Sequence, residues 1–160
     1  LTITRTTPDG AIEFKQTFSR DTTERDVTIT MTVKNLSTTL TYLDVQLSRY
    51  ALPSVDGTFE NDIYDRSPDS IWAKEVSTER KVTLTALTYG TSHTTQVEAN
   101  TAFFPNSPPG GKAQCSAASP VATPTTPSPA PSYWVGRVNY QLGNINHGAS
   151  KTVKVVYRVD

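Results

Sequence analysis

The sequence has a single cysteine, Cys115, so no disulfide bond can form within the chain. It has no apolar run near the roughly 20 residues that a membrane-spanning helix needs, which argues against membrane insertion. It also lacks a run of like charge: its 15 basic and 15 acidic residues balance to zero, and the basic residues are scattered along the chain. Nucleic-acid binding requires clustered Lys and Arg, so this balance excludes a broad nucleic-acid interface.

Threonine is unusually abundant and makes up about one residue in six of the chain. Hydrophobic residues make up only 36% of the chain, which is low for a packed domain. Threonine is β-branched and suits the solvent-exposed face of a strand. A chain of 160 residues is long enough for one buried core, so we expect a single domain over residues 1–160.

The clearest structural signal runs from Val27 to Tyr50. Apolar and polar residues alternate over 27–33, and the alternation resumes at residues 43–47 with Leu43, Val45 and Leu47 as its apolar members. A period of two gives a strand one apolar and one polar face. These segments therefore predict two half-buried strands joined by a short connection.

Similar alternation predicts further strands on both sides of this stretch. From Leu87 the apolar residues change phase, which predicts a β-bulge. No segment has the apolar spacing of an amphipathic helix. Short strands at these intervals favour an all-β, immunoglobulin-like two-sheet sandwich of about seven to nine strands. The additional predicted strands cover residues 1–5, 12–18, 81–89, 96–104, 133–142 and 152–159.

Two long segments interrupt the strand pattern. Residues 51–70 contain Pro53, Gly57 and five acidic residues, and they predict a long acidic loop whose aromatic residues turn inward. Residues 105–132 hold most of the 11 prolines of the chain and many Ser and Thr, and they predict a Pro-rich loop insert. Cys115 lies in this insert, either as a free thiol or as the partner of a cysteine on another chain.

The acidic loop holds the candidate metal ligands. Calcium takes about six to eight oxygen ligands, and Asp56, Glu60, Asp62 and Asp65 offer carboxylates within one loop. Their spacing does not match that of an EF-hand. We therefore expect no resident cofactor, with Ca²⁺ as the one candidate, and a solvated loop is the simpler interpretation.

Aromatic residues near this loop are the candidates for ligand binding. Trp72 and Tyr64 are singled out because aromatic rings stack on the apolar faces of sugars, and pockets combine such rings with a few polar groups. Trp134 is in register with Val138 on a predicted strand, so core packing is its expected role. Asn35 begins an Asn-Leu-Ser sequon and is the candidate glycosylation site.

The two histidines give no clear sign of catalysis. His93 lies in a Thr/Ser-rich turn and His147 in a Gly/Asn turn, and we expect both to be exposed. Nucleophilic catalysis needs a histidine beside a Ser or Cys, with an acid to orient it. We therefore expect no enzyme and no catalytic residues, and a hydrolase stays a minor alternative.

Two passages resemble a family of bacterial repeat domains. VTITMTVKNL at residues 27–36 resembles their early strand, and LGNINHGASKTVKVVYRV at residues 142–159 resembles their closing strand. These DUF11-like, or conserved-repeat, domains have an immunoglobulin-like fold and occur in secreted or surface-anchored proteins. The resemblance implies an extracellular or cell-surface sandwich used for spacing, adhesion or assembly. The acidic loop and the Pro-rich insert make this chain longer than a plain repeat.

The leading hypothesis is thus a non-enzymatic structural module whose partners are other protein subunits or neighbouring domains of the same chain. Residues Leu1–Arg5 are where such a subunit would pair with the sheet edge of a neighbour, giving a filament or surface array. The favoured alternative for this strand is that it completes its own sandwich. The second functional hypothesis is a carbohydrate-binding accessory domain of a secreted enzyme, with glycans as ligands.

Overall fold

The computed structural model shows an all-β protein and describes residues 1–51, 55, 62–99 and 134–160. These residues form ten strands and no helix, so none of them belongs to a helix able to span a membrane. The strands are β1 (Thr2–Thr6), β2 (Ile12–Arg20), β3 (Asp26–Asn35), β4 (Tyr42–Ala51), β5 (Asp62–Arg66), β6 (Ser70–Glu75), β7 (Lys81–Ala86), β8 (His93–Ala99), β9 (Trp134–Ile145) and β10 (Ser150–Val159).

The strands form two antiparallel sheets. Sheet A has seven strands in the order β1-β2-β3-β10-β7-β6-β5, and sheet B has three in the order β4-β9-β8. Strands β3 and β4 are consecutive in the chain but belong to different sheets, so their short connection crosses from one sheet to the other. The predicted all-β class with two sheets is confirmed, with one strand more than the upper end of the predicted number.

The centre of sheet A behaves as the alternation predicts. Ile29, Met31 and Val33 of β3 are buried, and the threonines between them face the other side of the sheet. β10 pairs with β3 along its whole length and buries Val153 and Val155. These side chains join a core that takes residues from both sheets, including Tyr64, Ile71, Ala73, Leu84, Ala86, Val97, Val138 and Tyr140.

Glycine is required where β9 of sheet B packs on β6 of sheet A. A Cβ atom built on Gly136 would lie 2.1 Å from Cδ1 and 3.2 Å from Cγ1 of Ile71. The first distance is far below a van der Waals contact between carbon atoms, which is about 3.5–4.0 Å. The missing side chain therefore lets the two sheets approach at this point.

The prediction that Leu43 faces the core is wrong. Leu43 is 68% exposed, whereas Val45 and Leu47 pack against the core. Asp44 has a positive φ of 50°, and the pairing of β4 with β9 shifts register on either side of Val45. Such an irregularity changes the face on which the next side chain lies.

Three other local features differ from the predictions. β5 forms inside the predicted acidic loop, and β8 begins at His93, a residue predicted to lie in a turn. The predicted bulge near Leu87 is instead the end of β7, where the Leu87 N–H donates to the Lys154 carbonyl at 2.9 Å. The Pro-rich insert 105–132, with Cys115, lies outside the described residues.

Candidate functional site

The structure places the predicted calcium ligands apart where it describes them. Asp62 lies on the core face of β5 and is fully buried, while Asp65 lies on the opposite face, paired in register with Trp72. Among the described residues, no three His, Cys, Asp or Glu side chains are grouped as a metal site would need. Asp56 and Glu60 lie outside these residues, so calcium binding stays a prediction.

Asp62 has a structural environment. Its Oδ2 accepts hydrogen bonds from the Val55 N–H at 3.1 Å and the Tyr64 hydroxyl at 3.4 Å. Burial, and then the neighbouring Asp62 carboxylate, raise the pKa of Tyr64 well above its ordinary value, so its phenol keeps its proton. The pair ties β5 to Val55 inside the core.

The two candidate sugar-stacking residues are not brought together. Tyr64 is 2% exposed on the core face of β5, whereas Trp72 lies half-buried on the outer face of sheet A. The Lys81 ammonium lies 4.8 Å from the centre of the Trp72 ring, close enough for a cation–π contact. Lys81 therefore competes with any sugar for this side of the ring.

The structure does not support glycosylation of Asn35. This side chain is 1% exposed, and its Nδ2 donates to the carbonyls of Leu40 at 2.7 Å and Ile145 at 3.0 Å. Its Oδ1 accepts from the Ser37 N–H at 2.9 Å. Both amide hydrogens are thus engaged in holding the β3–β4 connection to β9, and a glycan attached to Nδ2 would break these bonds.

A polar cleft of about 520 Å³ lies between the end of β5 in sheet A and β8 in sheet B. It is lined by Arg66, Ser67, Pro68, His93, Thr94 and Thr95. The Arg66 guanidinium donates through Nη1 to the Thr95 carbonyl at 2.9 Å, and the Thr95 hydroxyl donates to the Ser67 carbonyl. These bonds join the two sheets across the floor of the cleft.

His93 lines this cleft and, contrary to the prediction, it is not exposed. Its Nδ1 donates to the Thr91 carbonyl at 3.1 Å, and its Nε2 lies 2.9 Å from Oδ1 of Asp69. Its ring also packs on Tyr140, with 5.5 Å between ring centres. Both nitrogens are used in contacts with the chain itself, so the arrangement fastens β8 to the β5–β6 connection. His147 is exposed, as predicted.

The β1 strand is the most accessible element of the described structure. All five of its residues are exposed, and it pairs antiparallel with β2 from Thr2 opposite Thr17 to Thr6 opposite Glu13. Strand β1 therefore completes its own sheet, as the favoured alternative predicted, and it forms one edge of sheet A. Sheet B packs against β5, β6, β7 and β10, whereas β1 lies at the other end of sheet A.

Hydrogen bonds at the start of β1 show which backbone groups face outward. The N–H groups of Leu1 and Phe18 each donate to the carbonyl of the other residue, at 3.1 and 2.8 Å. Alternate residues of an antiparallel strand bond to the same neighbour, so Leu1, Ile3 and Arg5 bond toward β2. The N–H and C=O groups of Thr2, Thr4 and Thr6 consequently point away from the sheet.

A groove of about 310 Å³ runs beside this edge on the core-facing side of β1 and β2. Its lining combines two apolar side chains, Ile3 and Phe14, with the polar side chains of Arg5 and Gln16. Ile3 is 36% exposed, so part of this apolar surface remains open to solvent.

No protein-family model and no curated protein matches the chain.

Proposed function

We propose that this chain is a non-enzymatic structural module that assembles with other protein subunits or neighbouring domains through the edge of β1. The observation that carries the proposal is the outward row of backbone groups at Thr2, Thr4 and Thr6 on a fully exposed strand. An unpaired row of N–H and C=O groups is a template for strand addition. Spacing, adhesion or array formation outside the cell or at its surface is the role that such pairing serves.

The polar groups of the core and cleft support a structural role. Asp62 accepts hydrogen bonds inside the core, and His93 bridges Asp69 and Thr91. Each of these groups bonds to other parts of the chain. In a catalytic site, such groups would instead point toward a substrate. Two antiparallel sheets and the passages at 27–36 and 142–159 also support an immunoglobulin-like, DUF11-like sandwich as part of the proposal.

Light scattering over a concentration series tests the proposal. We expect the wild-type mass to rise above 17.5 kDa with concentration, while Thr4→Pro stays at the mass of one chain. Proline at position 4 removes an outward N–H and leaves the bonds to β2 in place. Thr4→Val keeps the N–H and is the matched control, expected to assemble as the wild type does.

Two results would overturn this proposal. One is a wild-type chain that keeps the mass of a monomer at every concentration up to the millimolar range. The other is assembly that Thr4→Pro does not weaken, because the edge of β1 would then play no part in it.

A further inference from the structure

We infer that β1 pairs with β1 of a second copy of this chain, antiparallel and in a register centred on Thr4, so that two A sheets join into one. This inference rests on the proposed function and names its partner and geometry. The pairing is two-fold symmetric, so each copy uses the same patch and the interface closes on itself. It gives a dimer as the unit of assembly at this edge.

The backbone favours this register. With Thr4 opposite Thr4 of the second copy, Thr2 lies opposite Thr6 at both ends of the pair. Each of these positions is one whose N–H and C=O point outward, so every outward group from Thr2 to Thr6 meets a complementary group. If the register shifts by two residues in either direction, Thr2 or Thr6 no longer lies opposite a residue of the other β1, and its outward groups stay unpaired.

The outer-face side chains continue a pattern that the sheet already contains. Cross-strand threonine hydroxyls lie 3.2 Å apart between Thr2 and Thr17, and 2.9 Å apart between Thr32 and Thr152. The inferred register adds Thr4 opposite Thr4, and Thr2 opposite Thr6, to this threonine face. Such cross-strand pairs stabilise a sheet.

The opposite face of the interface is also compatible. Ile3 lies opposite Arg5 of the second copy, so the aliphatic stem of Arg5 covers Ile3 beside the 310 Å³ groove. The two Arg5 side chains then occupy diagonal positions. A register centred on Arg5 would instead place these two cations directly opposite each other, which is destabilising.

The other edge strands that the structure describes are β5, β4 and β8. On β8 the Thr95 carbonyl already accepts a hydrogen bond from Arg66, and β5 and β4 carry features that discourage pairing. The five-residue β5 has three charged residues, Asp62, Asp65 and Arg66, and β4 has the irregularity at Asp44. Charges and bulges are the usual means by which natural sheets protect their edges. β1 has neither proline nor a bulge, and Arg5 is its only charged residue.

Disulfide trapping tests the register. In a Cys115→Ser background, Thr4→Cys should give a disulfide-linked dimer under mild oxidation, because paired Cα atoms lie about 5.5 Å apart, within the disulfide range. Thr2→Cys is the matched control and should stay monomeric, since the two positions would be roughly 14 Å apart along the strands. Mixing Thr2→Cys with Thr6→Cys chains should restore the cross-link.

Each outcome is decisive when read with the mass of the uncross-linked Cys115→Ser chain. Equal cross-linking of Thr2→Cys and Thr4→Cys, or cross-linking of Ile3→Cys in place of Thr4→Cys, would overturn the register. Assembly that Thr4→Pro blocks, but that Thr4→Cys does not trap, would overturn the self-pairing and leave the proposed function standing. A chain that stays monomeric would overturn both.

Discussion

The two ends of sheet A are finished in opposite ways. At the β5–β6 end, sheet B covers the inner face and buries Tyr64 and Ile71, together with the polar groups of Asp62 and Glu75. At the β1 end, every residue of the edge strand is exposed. The β5–β6 end, here called the closed end, thus carries buried core residues, and the β1 end, here called the open end, carries exposed ones. We therefore expect substitutions at the closed end to cost much more stability than substitutions at the open end.

The largest expected effect is the difference in free energy of unfolding when one apolar or aromatic side chain on the inner face is truncated to alanine at each end of sheet A. Tyr64→Ala should lower the free energy of unfolding by about 3–5 kcal/mol, because it empties a core site and removes the hydroxyl that donates to Asp62. Ile3→Ala at the open end should lower it by less than about 0.5 kcal/mol. Urea denaturation of both variants and the wild type measures the difference. Equal losses at the two ends would contradict the comparison.

A second, smaller effect is expected where sheet B presses on the closed end. Gly136→Ala should cost about 1–3 kcal/mol of stability, because its Cβ would overlap Cδ1 of Ile71. Gly90→Ala is the control, since a Cβ there meets no atom within 4 Å. The measurement is again the free energy of unfolding in urea.

A double-mutant cycle identifies the cause of that loss. Ile71→Val removes Cδ1 and should cost about 0.5–1.5 kcal/mol by itself. Combined with Gly136→Ala it should restore room, so the double variant should lose less than the two single losses together. If the stability losses of the two single variants are additive in the double variant, the contact between residues 71 and 136 is not the reason that position 136 needs glycine.

The sequence was most informative where one face of a strand is uniformly apolar. β3 and β10 were predictable because Ile29, Met31, Val153 and Val155 leave a clear period of two. The phase of β4 was not predictable. A positive φ is usually signalled by a glycine in the sequence, and here it falls on Asp44. β1 was predictable as a strand, but only the order of strands in sheet A shows that it forms an edge.

The polar cleft was beyond prediction for a topological reason. Arg66 and Thr95 lie far apart in the chain and meet only because β5 and β8 are neighbours across two sheets. β5 was missed because its core face reads Asp62, Tyr64 and Arg66, and two charges hide the apolar alternation. His93 was assigned to a turn, although it alternates with Thr95 and Val97 on one face of β8.

The β6–β7 turn of the closed end depends on Glu75. The residue is 3% exposed, and its carboxylate accepts hydrogen bonds from the Thr78 N–H and from the Ser77 hydroxyl, the latter at 2.8 and 2.9 Å. The bond from the Thr78 N–H is the main reason that the pKa of Glu75 is lowered to about 2 from an ordinary value of 4.5. The ionised form is therefore favoured by folding.

The smallest expected effect follows from this shift. Because the folded-state pKa is lower than the unfolded one, Glu75 stabilises the fold above pH 4.5, and this stabilisation is lost as the pH falls toward 2. Glu75→Gln should therefore melt a few degrees below the wild type at pH 7, with the gap narrowing between pH 4.5 and 2. Glu79→Gln, an exposed change in the same turn, is the control. A gap that stays constant with pH would show that Glu75 acts through its shape and packing, and that its charge contributes nothing to the closed end.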